Sequence, residues 1–498
     1  MDSMVMSFWT RHWSSKALAA VVLCALASCA TQPGTSIDSR GEQRQAIKRP
    51  KVDVPRPTSL ERYVAAPDAN YRYEVVNTIP GQGYTAYVCD MISQQWRTEA
   101  EVDRPLWQHW VIAIVPDELH YTTGMMFISG GANDGKVPDK VDARMAQIAQ
   151  LTRSVVTTIH MIPNQPLTFA DDGQPLKEDA LIAYTWDKYM RTGDEYWPAR
   201  LPMTKAVVRA MDTVQDLVAR PDVAGAAVEG FVVAGGSKRG WTTWTTAVVD
   251  DRVVAIAPIV IDMLNIVPSF QHHYEVYGAW APAVGDYVDR GIMEWMGTAE
   301  YESLLKIVEP YSYLDDLTMP KFLINATGDE FFLPDSSQYY WDDLKGPKYL
   351  RYVPNASHGL DDTDAADSLL AYYAYILSGT PLPEIQWDYP QEGVVRVVTN
   401  TRPKAAHLWT ATNPGARDFR LEVAGPIWAP LELTAMADGS YLASVEEPVQ
   451  GYTAYMIECT FDGPGGAPLK LTTPVRVTPD VTEHEYPLPA PMRGFMKR

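Results

Sequence analysis

The sequence predicts an α/β fold, a mostly parallel sheet with helices on both faces, carrying lid-like insertions and followed by a small C-terminal β-sandwich. Three observations predict it. Continuous apolar runs such as WVIAIV (110–115), GFVVA (230–234) and VVAIAPIVI (253–261) alternate with stretches of helical period. The alternation opens with a hairpin signal rather than a crossover. After residue 392 the helical stretches stop, and short alternating runs sit between Gly, Pro and Asn turns.

The elements follow in order. Runs 71–78 and 84–92 flank Pro80-Gly81-Gln82-Gly83, which reads as an antiparallel hairpin. Apolar runs at 110–115, 124–129, 154–160, 230–234, 253–261, 321–325 and 349–353 complete the sheet. Helical patterns at 141–151, 202–217, 241–249 and 363–377 separate most of them or follow the last. Residues 162–200 and 262–319 interrupt the rhythm as insertions. The second contains Phe270, Tyr274, Tyr277, Trp280, Tyr287 and Trp295, and stands where a lid would form, although most of these rings are expected to pack the insertion's own core. The expected units are therefore a large domain at 61–392, a β-sandwich at 395–480 and a loose, Pro-rich tail at 481–498.

The N-terminus reads as a processing signal. Arg11 and Lys16 precede the apolar run ALAAVVLCAL, which is too short to span a bilayer stably. Leu26-Ala27-Ser28-Cys29 resembles the lipobox of bacterial lipoproteins. That resemblance implies removal of residues 1–28, a diacylglycerol on the Cys29 thiol, and an exported protein held on the periplasmic face of the outer membrane. Residues 29–60 are polar and aperiodic, as expected of a tether. The formal net charge of −20 argues against nucleic acid or a bare anionic bilayer as a partner, because both require basic patches. Of the four cysteines only Cys89 and Cys459 lie in the folded region, where they are open to pairing or to burial as thiols.

The segment FVVAGGSKRGW (231–241) runs from apolar strand to helix through a glycine-bracketed serine. A turn this tight forces Ser237 into strained backbone geometry and needs small neighbours, which Gly235 and Gly236 supply. The usual motif has glycine two residues after the serine. Here Arg239 stands there and Gly240 comes third, as in the elbows of glucuronoyl esterases. Asp329 follows the strand KFLIN, and His358 lies on a loop after the strand YLRYV. A serine hydroxyl needs an imidazole base, itself oriented by a carboxylate. Ser237, Asp329 and His358 occur in the order of an α/β-hydrolase triad. Glu330 and Asp335 are nearby substitutes for the acid, and Asp262, after the preceding strand, is the serious rival. The oxyanion hole is expected from the N–H of Lys238 and from Gly131, in the loop Gly130-Gly131-Ala132-Asn133. Lys238 and Arg239 also offer positive charge to a substrate carboxylate, unless they pair locally. Asp171, Asp172, Glu178, Asp179, Asp194 and Glu195 offer negative charge to a peptide amine. No spacing of a metal site, dinucleotide fold or phosphate loop is present, so no cofactor is expected.

Segments 197–212, 231–265 and 409–420, above all SKRGWTTW, resemble the PhoPQ-activated pathogenicity-related proteins. The likeness extends over nearly all of residues 55–480. It implies an α/β-hydrolase-like fold, makes Arg239 normal rather than a lost glycine, and links the chain to envelope and antimicrobial-peptide stress without naming a substrate. The expected activity is cleavage of an ester, amide or peptide bond through an acyl-enzyme. The alternative is a silent hydrolase scaffold that binds a partner at the envelope.

Overall fold

The structure is a computed structural model that describes residues 55–487, 489 and 492–496. The signal segment, Cys29 and most of the tether lie outside the described residues. Helix α1 (Ser59–Ala65) starts at a capping box, just inside the end of the expected tether. Thr58 Oγ1 accepts from Glu61 N–H while the Glu61 carboxylate accepts from Thr58 N–H. Leu60 is fully buried beneath it.

Nine strands form the main sheet: β1 (Arg72–Gly81), β2 (Tyr84–Gln95), β3 (Leu106–Pro116), β4 (Thr123–Ile128), β5 (Val156–Ile159), β6 (Gly230–Gly236), β7 (Val253–Ile259), β8 (Lys321–Ala326) and β9 (Lys348–Val353). Their spatial order is β1-β2-β3-β5-β4-β6-β7-β8-β9. The first three strands pair antiparallel, β3 pairs antiparallel with β5, and every later pair is parallel. This is the α/β-hydrolase fold. The exchange of β4 and β5 comes from a crossover through α2 (Ala143–Thr152). Strand β8 is buried at every position and β6 at all but its last, as strands covered on both faces must be.

Helices α4 (Arg200–Ala219), α5 (Lys238–Val249) and α8 (Ala365–Ser378) match the expected periodic stretches to within a few residues. The first insertion holds a short hairpin (Leu167–Thr168 with Pro175–Leu176) and α3 (Glu178–Thr192), for which the sequence offered no reading. Helix α3 buries Leu181, Ile182, Trp186, Tyr189 and Met190, but Tyr184 and Thr185 are buried beside them and blur the 3.6-residue stripe. The second insertion contains α6 (Ile266–Tyr277), α7 (Ala299–Val308) and short turns. Its aromatics pack one another: Phe270 meets Trp280 edge-on at 5.8 Å, and Trp295 is fully buried.

The sandwich begins at β10 (Ile385–Gln391), ten residues before the expected boundary. This strand pairs with β11 (Val394–Thr399) across Glu392-Gly393, where Gly393 has φ +70°. Pro390 had hidden it as a strand. Strands β12 (Ala405–Asn413), β13 (Ala429–Glu432), β14 (Tyr441–Ser444), β15 (Tyr452–Asp462), β16 (Pro468–Thr472) and β17 (Arg476–Thr478) complete it. One sheet is β10-β11-β14; the other is β13-β12-β15-β16, with β17 also on β15. Val395, Val397, Leu408, Ile457 and Cys459 face inward, and this core runs on without a break into Ala371, Tyr372 and Phe322 of the main domain. Cys89 and Cys459 are separate buried thiols, each pushed up to about 12 by burial.

The described residues after Asp480 make defined contacts with the rest of the fold. His484 N–H donates to Glu275 O at 3.2 Å, and Tyr486 packs edge-on against Tyr274 at 5.8 Å. The buried Glu300 carboxylate accepts from Gly494 N–H (3.2 Å) and Met496 N–H (3.1 Å). Its prolines suggest a free end, but backbone donors and isolated aromatics tie described residues of the tail to the second insertion.

Candidate active site

Ser237 joins β6 to α5 with φ 58° and ψ −128°, a conformation that costs a non-glycine residue about 1–3 kcal/mol. The turn is forced by close packing on either side. A Cβ on Gly235 would lie 2.9 Å from Arg239 O, and one on Gly240 would lie 2.8 Å from the Ile261 side chain and 2.9 Å from Gly235 O. Gly240 therefore supplies the close helix-to-sheet approach that the motif usually assigns to the second residue after the serine. A Cβ on Gly236 would meet nothing nearer than 3.9 Å, so only one of the two preceding glycines is sterically required.

Arg239 has its own task. Its guanidinium is 1% exposed, donates to Ile162 O and to the Glu178 carboxylate (2.6 Å each), and fills the space that a Cβ on Gly130 would occupy. It thus braces the elbow against the loop after β4. Lys238 Nζ lies between Glu178 (2.9 Å) and Asp179 (3.0 Å). Burial acts against ionisation of Glu178, but the charges of Arg239 and Lys238 hold its carboxyl well below the usual range. Both cations after the serine are therefore paired locally rather than offered to a substrate carboxylate. The six acidic residues read as amine ligands are likewise engaged: Asp171 with Lys188, Asp172 with Arg290, Glu178 and Asp179 with Lys238, Asp194 with Arg97, and Glu195 with Arg62.

The acid and the histidine meet as the sequence order requires. Asp329 follows β8 and is 3% exposed. Its Oδ1 accepts from Phe331 N–H (2.8 Å) and Phe332 N–H (3.3 Å), and its Oδ2 lies 2.8 Å from His358 Nδ1. A proton on Nδ1 leaves Nε2 as the basic nitrogen. His358 is further fixed by its backbone N–H, which donates to Glu330 at 3.0 Å, and by the Phe331 ring at 4.5 Å. Ser237, Asp329 and His358 all leave the carboxyl ends of parallel strands, so they share one edge of the sheet. No hydrogen bond joins Ser237 Oγ to His358 among the described residues, and such contacts commonly tighten only with substrate bound.

Asp262, the rival acid, points elsewhere. It is 3% exposed, and its two oxygens accept from Tyr340 and Tyr352 (2.5 Å for the latter). Burial pushes its carboxyl up to about 7, against the two tyrosine hydrogen bonds that favour the charged form. The native state thus holds this proton where the unfolded chain would release it, so its contribution to stability is lost as pH rises from about 4 to 7. Asp262→Asn is expected to leave turnover nearly unchanged. Relative to wild type, its unfolding midpoint is expected to compare better at pH 8 than at pH 5. A collapse of turnover in this variant would return Asp262 to the triad.

For the oxyanion, Lys238 is the first residue of α5, where a backbone N–H has no acceptor within the helix. Gly131 sits in the loop after β4 with φ +127°, a conformation open to glycine; a Cβ there would meet only Met161, at 3.6 Å. The site residues that sequence reasoning missed are Glu178 and Asp179 as partners of the elbow, and Tyr340 and Tyr352 on Asp262. The acidic pair at the start of α3 was visible, but its partners stand some sixty residues away with no spacing to announce them. Among the described residues, no group of three or more His, Cys, Asp or Glu is placed to hold a metal ion.

The family described as PhoPQ-activated pathogenicity-related protein matches residues 60–420. A Dictyostelium discoideum protein, autocrine proliferation repressor protein A, is 37% identical over 428 residues, covering 81% of this chain and 86% of that protein. Among solved structures, an acetyl xylan esterase from Paenibacillus sp. R4 is similar at 13% identity and a TM-score of 0.45, covering 64% of this chain and 92% of that one. A Pyrococcus horikoshii acylaminoacyl peptidase is similar at 12% identity and a TM-score of 0.37, covering 63% and 51%.

Proposed function

The chain belongs to the PhoPQ-activated pathogenicity-related protein family, and from that membership we propose that it is a serine hydrolase cleaving an ester or amide bond through an acyl-enzyme. The observation that carries the reading is the strained Ser237 on the same sheet edge as the Asp329–His358 pair. In the first step His358 Nε2 takes the hydroxyl proton while Ser237 Oγ bonds to the carbonyl carbon. The Lys238 N–H and the Gly131 loop receive the oxyanion, and His358 returns the proton to the leaving group. Water then repeats the sequence on the acyl-enzyme. Asp329 holds the ring. A fluorophosphonate probe should label Ser237 and nothing else. Equal hydrolysis of a panel of small esters and aminoacyl amides by wild type and Ser237→Ala would favour a binding scaffold instead.

The reading extends to export. The lipobox-like Leu26-Ala27-Ser28-Cys29 supports a lipid-anchored enzyme at the periplasmic face of the envelope. Cys29→Ala should abolish incorporation of labelled fatty acid and leave the precursor uncut at that point. Normal processing of the variant would favour an ordinary secretory signal. Among the described residues no helix is long and apolar enough to cross a membrane.

A further inference from the structure

Asp329 and His358 both stand on irregular loops. The histidine loop includes three non-glycine residues at positive φ: Asn355 (55°), Leu360 (50°) and Asp362 (58°). Loops of this kind hold a geometry only if something outside them does the holding.

Two contacts from the C-terminal sandwich meet these loops beside the triad residues. At the acid loop, the peptide unit of Gly328 is engaged on both sides. Its N–H donates to Ala356 O in the histidine loop and its carbonyl accepts from Leu421 N–H, at 2.9 Å each. A Cβ on Gly328 would lie 2.9 Å from both Ala356 O and the Leu421 side chain, so this approach explains the glycine before Asp329. At the histidine loop, the Asn355 amide pairs with the backbone of Trp428 as a strand would. Nδ2 donates to Trp428 O and Oδ1 accepts from Trp428 N–H, at 2.9 Å each. Asn355 N–H donates to Thr327 Oγ1 at 3.1 Å, which closes the circuit back to the acid loop. One segment of the sandwich thus grips the residue before the acid and a residue three before the base.

We propose that the C-terminal β-sandwich is part of the catalytic apparatus, a two-point clamp that sets Asp329 and His358 in register, with Asn355 as a positioning residue. The proposal rests on the hydrolase reading above for its kinetic consequence, but its structural content is independent of that reading. The clamp acts through backbone groups, so no side-chain periodicity in the sandwich betrays it.

The test uses the full chain with Asn355→Gly and Leu421→Pro. Glycine keeps the left-handed backbone and deletes both amide contacts. Leu421 is the first residue of a helical turn after an extended Arg420 (φ −56°, ψ 133°), where proline is tolerated, so Leu421→Pro removes the N–H and opens the Gly328 contact. Hydrogen exchange is followed over residues 327–332 and 354–362, together with kcat and KM on a small ester. Both variants are expected to exchange faster in both loops and to lose roughly 10- to 100-fold in kcat at near-constant KM, the scale of an approximately 1 Å misplacement. Unchanged exchange in both loops, or wild-type kcat, would overturn the clamp. If one variant fails to fold, the other decides. A wild type without Ser237-dependent turnover would sink the hydrolase reading instead, and the exchange rates alone would then judge the clamp.

Discussion

Ser237→Ala is expected to remove nearly all ester or amide turnover while leaving the fold intact. One oxygen is lost from a half-buried residue that takes no part in the core. The triad acts as a unit, and loss of the nucleophile costs about 10⁶-fold in a serine protease. Asp329→Asn should cost on the order of 10⁴-fold, because an amide can donate to Nδ1 and thereby fix the wrong tautomer of His358. Ser237→Gly separates chemistry from strain. It should be as inactive as the alanine variant yet more stable, since glycine occupies φ 58°, ψ −128° at little cost. Equal stability of the two variants would mean that the elbow stores no strain. Circular dichroism and denaturant midpoints, read beside rates on small esters, check all three.

The largest loss of stability is expected at Asp335. Its carboxylate is 3% exposed, and Oδ2 contacts His272 Nε2 at 3.0 Å and Arg417 at 2.7 Å. Arg417 is itself buried and donates to Pro479 O (3.3 Å) and Val481 O (3.2 Å). This one carboxylate therefore ties the second insertion, the loop after β8 and the end of the sandwich together. Burial pushes its carboxyl up, but His272 and Arg417 outweigh that and hold it well below the usual range. Asp335→Ala leaves the buried Arg417 guanidinium with only the exposed Asp480 carboxylate, at 3.3 Å, as a charged partner and should cost about 3–5 kcal/mol. The pH dependence has the opposite sign to that of Asp262. A depressed carboxyl gives stability that is whole above about pH 4 and lost as pH falls toward its native titration. Asp335→Asn should accordingly flatten the acid limb of the stability curve. A loss no greater than that of the exposed Asp388→Ala, whose partner Arg396 is equally exposed, would show that the bridge contributes nothing.

The succession of strands and helices, the elbow and the residues of the acid–histidine pair could be read in the sequence because each rests on a local rule. Apolar runs such as GFVVA mark buried strands, and a glycine-bracketed serine between strand and helix has few other uses. Asp329 was separated from Asp262 only by the structure, since both follow core strands and both are buried. The difference lies in two tyrosines, Tyr340 and Tyr352, that come from distant loops and face Asp262. The same limit explains Glu178, whose partners are fixed by tertiary folding alone, and strand β10, where Pro390 masked a hairpin. The tail after Asp480 misled for a different reason. Its attachment uses backbone N–H groups on a buried Glu300, and composition carries no trace of a backbone donor's partner.

The unbroken core between the main domain and the sandwich bears on how the chain reaches its native state. Helix α8 presents Ala371 and Tyr372 to residues that are synthesised about a hundred positions later, among them Leu469 and Leu471 of β16. Lys470 N–H also donates to Ser368 Oγ at 3.1 Å, and Tyr352 N–H in β9 donates to Thr472 Oγ1 at 3.0 Å. Until β16 emerges, the outer strand of the main sheet has neither its cover nor these partners. Folding domain by domain from the N-terminus, the usual order during synthesis, would stall with an apolar helix face in water. The outer edge of the main sheet is therefore closed by some of the last strands to be made.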